Sequence, residues 1–342
     1  MIARLVFIVC LCVPALVACR RSPGISSRQT PTAAAYYLVG RQGARTFSRP
    51  DQAALDGDGP ALPEDPEDPE DPEDRPLLAG FGLSIVEQRF VNGRRVGRTG
   101  QGRWIAMAQL VAARPSPFAG VTLPARAVLD FAWVIAPSAP VFARASADAN
   151  PTATQARLSR IRLDDPCSPA ARSCQTEIGW MRASDLRVPT SAPRPPGVGP
   201  TERWIDVDLT TQTLVAYSGD QPVFSTLVST GIGRPGSPLS TPRGIHRVHT
   251  KLRRATMDNL EHTGVAPYRY EDIPAVQYFT DRAALHAALW HDRFGHPASH
   301  GCVNLAPSDA DRLFAFTAPS VPPGREAVAT GAAGTGTVIR VR

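Results

Sequence analysis

The run Ser299-His300-Gly301-Cys302-Val303-Asn304 decides how the rest of the chain is read. A cysteine follows a glycine, with a histidine two places before it and an asparagine two places after. A second histidine, His286, lies sixteen residues upstream, in Ala284-Leu285-His286. The thiolate is the nucleophilic form of cysteine, so a reactive thiol needs a base or a cationic neighbour. This segment supplies both. Gly301 lets the backbone come close, and amides around Gly301 and Cys302 are expected to face a developing oxyanion. A base paired with the thiol is expected to hold it below its free value of about 8.5.

Working outward, Ser240-Thr241-Pro242-Arg243-Gly244 reads as a turn. From Trp204, Ile205-Asp206-Val207-Asp208-Leu209 alternates like a half-buried strand, and Leu214 to Asp220 gives a second strand with its own turn. Ala306-Pro307-Ser308 opens a helix, with Pro307 suited to its first turn. Thr337-Val338-Ile339-Arg340-Val341 reads as a closing strand.

With His286, Ser299, His300, Gly301, Cys302, Asn304 and the Thr-Pro-x-Gly turn in place, residues 201–342 resemble the L,D-transpeptidases of bacterial cell-wall synthesis, the YkuD-type catalytic domain. Two positions depart from that pattern: Ala287 stands where a glycine is common, and His246 where an aromatic is common. The resemblance implies a mainly β, sandwich-like domain with a short helix after the nucleophile. It implies Cys302 as nucleophile and His286 as proton donor and acceptor. Ser299, His300, Gly301 and Asn304 would shape the site. The implied substrate is a peptidoglycan stem peptide, whose acyl group passes from Cys302 to an amine. Passing it to water instead would make an L,D-carboxypeptidase or endopeptidase of the same site. No metal or other cofactor is required.

Two rivals from other classes stand beside this reading. His286, His291, His296 and His300 invite a zinc hydrolase, but Gly295, Pro297 and Gly301 interrupt any helix that would align them. A non-catalytic wall-binding lipoprotein would not need the Cys-His pair.

The remaining 200 residues point to the cell envelope. Residues 1–18 read as a signal peptide: Arg4 is followed by an apolar run too short to span a bilayer. Leu16-Val17-Ala18-Cys19 resembles a lipobox, which implies lipidation of Cys19 and a membrane anchor facing the periplasm. Residues 19–35 are then anchor and flexible tether. Cys167 and Cys174, seven apart, are expected to form a disulfide outside the cytoplasm, which leaves Cys302 as the odd thiol.

Between tether and catalytic segment lies an internal repeat. Tyr36-Tyr37-Leu38-Val39 leads to Phe47-Ser48-Arg49, as Phe131-Ala132-Trp133-Val134 leads to Phe142-Ala143-Arg144. Each copy closes alike, Trp104-Ile105 before Leu110 and Trp180-Met181 before Leu186. The copies, 36–113 and 131–190, resemble bacterial Src-homology-3-like repeats, small β-barrels. Residues 63–74 repeat Pro-Glu-Asp four times and read as a solvated acidic insertion. Residues 191–200, rich in proline, read as a linker.

Composition agrees. The chain of 342 residues is long enough for two or three domains, and 34 prolines with 27 glycines suit a turn-rich β protein. The formal net charge of +6 is almost wholly arginine, Lys251 being the only lysine. No basic stripe or motif calls for a nucleic-acid partner.

Overall fold

The computed structural model describes residues 35–56, 77–145, 150–168, 170–260, 266–330 and 336–342. The signal segment, Cys19, most of the tether and the acidic run 63–74 lie outside the described residues. From Ala34 to Arg342 the chain forms one compact unit. Among the described residues, no helix is long and apolar enough to cross a membrane.

The first repeat contains β1 (Ala35–Val39), helix α1 (Pro50–Asp56), β2 (Gly82–Val91), β3 (Arg94–Thr99), β4 (Trp104–Ala106) and β5 (Leu110–Ala112). Its strands run antiparallel in the order β5-β1-β2-β3-β4. Asn92 and Gly93 both take positive φ between β2 and β3, as a two-residue hairpin turn requires. Val39, Phe81, Leu83, Ile85, Ile105 and Met107 form its core.

After the short β6 (Val121–Thr122), the second repeat contains β7 (Phe131–Val134), β8 (Ser138–Phe142), β9 (Pro151–Ala156), β10 (Arg160–Arg162), β11 (Ser173–Thr176), β12 (Gly179–Arg182) and β13 (Leu186–Arg187). They make two sheets, β10-β7-β13 and β11-β12-β8-β9. Cys167 and Cys174 are disulfide-bonded, with Cα atoms 5.3 Å apart.

The repeated phrases occupy matching places. Phe47 bridges Trp104 in the first copy, and Phe142 pairs with Trp180 in the second. Each tryptophan strand leads through a single 3-10 turn, Met107–Gln109 or Ala183–Asp185. The chain then returns to the opening strand of its own copy, β5 onto β1 and β13 onto β7.

The catalytic segment contains β14 (Arg203–Asp208), β15 (Thr213–Ser218), β16 (Gln221–Leu227), β17 (Gly244–Arg247), β18 (Thr250–Asp258), β19 (Arg269–Tyr278), β20 (Ala284–Ala287), β21 (Val303–Leu305), helix α2 (Pro307–Phe316), β22 (Ala327–Ala329) and β23 (Val338–Val341). One sheet runs β17-β23-β14-β15-β16, and a second joins β21-β20-β19-β18-β22. Ile205, Val207 and Leu214 of the first sheet pack against Leu285, Val303 and Leu305 of the second. The fold is thus mainly β, with its largest core between two sheets. Helix α2 covers an end of that core with Ala310 and Leu313. The Lys251 ammonium, fully buried, donates to the carbonyls of Phe314 (2.5 Å) and Thr317 (2.9 Å). These carbonyls lie at the helix C-terminus, where a cation offsets the dipole.

The sheet of β14–β16 also takes in a strand that precedes residue 201. β6 pairs with β16, placing Val121 opposite Ser225. The buried carboxylate of Asp309 accepts the Gly120 amide at 2.9 and 3.0 Å and the Thr226 hydroxyl at 2.5 Å. Phe118, Phe131, Trp133 and Ile135 share one core with Leu227, Ala288, Phe294 and Ala306. The first repeat touches the other sheet, where Gly82 of β2 pairs in parallel with Tyr270 of β19.

Candidate active site

Strand pairing brings the two motif segments together. β20 and β21 are parallel neighbours, with Leu285 opposite Val303 and His286 opposite Asn304. Parallel neighbours need a long crossover. Here residues 288–302 supply it, so the sixteen-residue gap is the length of a connection. Cys302 ends that crossover, next to the start of β21.

Cys302 sits in a loop whose shape is fixed by its neighbours. The Ser299 hydroxyl donates to the Cys302 carbonyl at 2.5 Å and accepts the Gly301 amide at 3.1 Å. Gly301 has φ of 125°, a backbone state that L side chains rarely adopt. A Cβ there would lie 3.3 Å from the Ser240 carbonyl, so the glycine also admits the Ser240–Gly244 turn. Thr241 in that turn accepts the Gly231 amide at 2.9 Å, while Gly231 bridges Ser299. The Gly301 amide is thereby occupied. It cannot also serve the oxyanion, and the sequence expectation is corrected on this point.

His286 is buried, and its Nδ1 lies 3.0 Å from the Ala287 carbonyl. A carbonyl can only accept, so Nδ1 carries the proton in the neutral ring and Nε2 keeps its lone pair. His286 and Cys302 line one small cavity of about 80 Å³, with Trp290, Ser299, His300 and Asn304. They are not hydrogen-bonded to each other. The Cys302 sulfur lies 3.9 Å from the Arg282 carbonyl instead. The described residues contain no other free cysteine.

The electrostatics run opposite to the sequence expectation. Burial pushes the Cys302 thiol up to about 11, opposed only in part by the backbone at Ala284. Its surroundings include Ile273, Val276 and Ala284 with Met257, Tyr270 and Trp290, an apolar wall that disfavours a thiolate. Although Cys302 is half-exposed as a residue, this wall governs its sulfur. Burial lowers His286 to about 4, against a gain from its bond to Ala287. The resting pair at neutral pH is therefore thiol and neutral imidazole. The sequence reading weighed the neighbouring base and omitted desolvation, which depends on packing.

Rings make up much of the site wall. Tyr270 stacks on Trp290 at 3.8 Å, and Trp290 lies 6.0 Å from His286. Tyr268 stacks on His300 at 4.9 Å. His300 thus packs on the β19 end, and burial lowers its pKa. His246 Nε2 donates to the Pro242 carbonyl at 3.1 Å, and the ring packs on Phe279. Ala287 is fully buried in the sheet core.

His291 accepts the Arg293 amide on Nδ1 at 3.1 Å, so its Nε2–H meets the Asn304 amide group at 2.9 Å. The side-chain oxygen of Asn304 is the compatible partner there. Asn304 is thus tied to the crossover through its side chain and to Ser229 through its backbone. Three of the four histidines of the zinc rival, His286, His291 and His300, are spread over these separate roles. No group of three or more metal-ligating side chains gathers among the described residues.

A larger hollow of about 390 Å³ reaches Cys302 from the other side, past Ser240, Asp258, Tyr268, Arg282 and His300. A third hollow, of about 600 Å³, is lined by Thr230, Ile232, Ser237, Thr241, Arg243 and Arg282, but not by Cys302. Sequence reading missed Tyr268, Tyr270 and Arg282. The alternation Tyr268-Arg269-Tyr270 was the available signal, since it puts both tyrosines on one face of a strand.

Residues 202–341 match the family model described as the L,D-transpeptidase catalytic domain, YkuD. This segment belongs to that family. Solved structures similar to parts of the chain include an L,D-transpeptidase of Enterococcus faecium, at 22% identity and TM-score 0.31, covering 41% of this chain and 50% of that one. The L,D-transpeptidase segment here therefore spans about half the length of the Enterococcus protein. One from Mycobacterium smegmatis matches at 19% identity and TM-score 0.31, over 53% of this chain and 82% of that one. L,D-transpeptidase 3 of Mycobacterium tuberculosis, solved with a faropenem-derived adduct, matches at 20% identity and TM-score 0.32, over 42% and 61%. No curated protein matches the chain.

Proposed function

We propose that the chain is a cysteine-dependent peptidoglycan L,D-transpeptidase. The observation that carries this is the placing of Cys302 and His286 in one small cavity, with His286 Nδ1 committed to Ala287 and Nε2 left basic. Cys302 attacks a stem-peptide carbonyl as its proton passes to His286. A sulfur–carbon bond forms, the carbon–nitrogen bond breaks, and the proton goes to the leaving amine. An acceptor amine then takes the acyl group, breaking the sulfur–carbon bond, and the thiol regains its proton. Because the resting pair is uncharged, proton transfer accompanies attack and no ion pair precedes it. The Cys302 amide, which Ser299 does not engage, is assigned to the oxyanion. Ser299, Gly301 and Asn304 hold the loop, and His300 forms part of the wall beneath Tyr268.

Anchoring through a lipidated Cys19, and placement at the periplasmic face of the envelope, belong to the same proposal. The N-terminal sequence supports them. The two repeats are proposed as Src-homology-3-like barrels; the shared strand–3-10 turn–strand closure supports that reading.

Intact mass after exposure to a carbapenem is the first test. One adduct on the wild type and none on Cys302→Ala is expected. An unmodified wild type, or wild-type turnover of defined muropeptides by Cys302→Ala, would count against the mechanism. EDTA should leave turnover unchanged.

A further inference from the structure

We propose that Arg157 and Arg187, in the second repeat, are positioning residues for the Cys302 site. They fix the crossover that sets His286 against Cys302. This rests on the catalytic reading above, and it assigns part of the site's geometry to a region outside the family match.

The crossover carries three groups that reach the site. Trp290 faces His286, His291 holds Asn304, and Cys302 ends the segment. Its outer side is gripped from the second repeat. Arg157 Nη2 donates to the carbonyls of Asp292 (2.6 Å) and Phe294 (3.1 Å), while Nη1 reaches the Asp292 carboxylate at 3.2 Å. The Arg157 side chain is only 19% exposed, while the Asp292 side chain it meets is 63% exposed, so the guanidinium is held in place with one end of the pair open to water. Arg187 Nε donates to the Gly295 carbonyl at 3.0 Å. Three backbone carbonyls within four residues, at 292, 294 and 295, are thus satisfied by two guanidinium groups.

The fit is close. Gly295 has φ of 91°, and a Cβ there would overlap Cγ2 of Ile135, beside the second repeat's opening strand. The inner side of the crossover is held by the catalytic sheet, where Gly295 donates to Val228 and the Ser229 hydroxyl to Arg293. With one side tied to β16 and its extension, the arginines decide the position of the other. A planar fork suits this, because one group can bond two carbonyls in a fixed relation, whereas an ammonium is a point donor. Displacing reacting groups by about 1 Å costs about 100-fold in rate.

The test uses the full chain carrying Arg157→Ala, Arg187→Ala or both. One readout is the rate of Cys302 acylation by a carbapenem. The other is Cys302 alkylation by iodoacetamide against pH. Each single variant should acylate about 10-fold slower and the double variant about 100-fold slower. The alkylation midpoint should fall from about 11 toward about 8.5 as water reaches the sulfur. A purely structural role elsewhere in the repeat would leave that midpoint in place. Wild-type rate and wild-type midpoint in the double variant would overturn the proposal. If the wild type takes no carbapenem, the catalytic reading fails, but the alkylation midpoint still decides the positioning role. Should the alanine variants not fold, Arg157→Lys decides: a several-fold slower acylation supports the fork, and a wild-type rate overturns it.

Discussion

The two repeats share a closing pattern but meet the catalytic segment in different ways. The second shares a core with it: Phe131, Trp133 and Ile135 lie in one cluster with Leu227, Ala288, Phe294 and Ala306. Rings continue from that core toward the site, Trp133 to Phe118 at 6.2 Å, Phe118 to Phe294 at 6.1 Å, and Phe294 to His291 at 5.4 Å. The first repeat meets β19 along a narrow seam. It includes the Gly82–Tyr270 bridge, a short hydrogen bond from the Ser84 hydroxyl to the Asp272 carboxylate, and Leu260 packed against the first repeat's core. Glycine allows close approach in both, but on opposite partners. Gly295 belongs to the catalytic segment, whereas Gly82 and Gly100 belong to the first repeat, where a Cβ would meet Tyr270 and Asp272. One sequence pattern has thus become part of a core in one copy and a docked flank in the other.

Truncation should separate them most sharply. A chain starting at residue 201 loses β6, Phe118 and Trp133, uncovering Leu227 and Phe294 and leaving buried Asp309 without the Gly120 amide. It is expected to be insoluble or without a cooperative thermal transition. A chain starting at residue 114 keeps those contacts and should melt cooperatively. A stable, acylatable 201–342 would erase the distinction. Next in size is Trp133→Ala, which removes a fully buried indole from the shared core. The expected loss is about 3–5 kcal/mol by denaturant unfolding. A loss under about 1 kcal/mol would show that the shared core can close over the gap.

What the sequence made legible was local. The motif around Cys302, the strands from Trp204 onward, the helix at Pro307 and the repeated Trp-to-Leu phrase all carry short-range patterns. The Phe47–Trp104 and Phe142–Trp180 pairs explain the repeat, because each phrase holds one strand of a pair. The rest depends on long-range contact. β6 is only two residues long and has no periodicity to read. Arg157 and Arg187 look like any surface arginine until their carbonyl partners arrive from residues 292–295. The direction of the Cys302 shift follows from walls contributed by β18, β19 and Trp290, so no local motif encodes it.

Acid should probe the shared-core side selectively. Burial lowers both His286 and His291 to about 4, with the charge of His286 a further cause for His291. In the unfolded chain each titrates near about 6.5. Between these values the unfolded state binds more protons, so stability falls as pH drops from about 6.5 to about 4. The loss is on the order of 2–3 kcal/mol for each histidine. Thermal melts across that window should show it, and His291→Gln should flatten the slope. A slope unchanged by that substitution would mean that His291 titrates alike in the folded and unfolded chains. Ser84→Ala, on the other flank, should not alter it.

The smallest effect belongs to the first repeat's seam. Ser84 is buried, and its hydroxyl donates to the carboxylate of Asp272, itself in a strained backbone state with φ of 52°. Ser84→Ala removes the donor but leaves the carboxylate partly open to water, so the cost should be about 1–2 kcal/mol. Gly100→Ala acts on the same carboxylate by overlap and should cost at least as much. Both lie on the repeat, and Tyr270 connects the seam to Trp290 and so to His286. Carbapenem acylation of Cys302 should therefore change less than about threefold in Ser84→Ala, against the larger slowing expected for Arg157→Ala. Equal slowing in the two variants would mean that β19 positions the site as firmly as the crossover does, and the flank would have to be counted with the core.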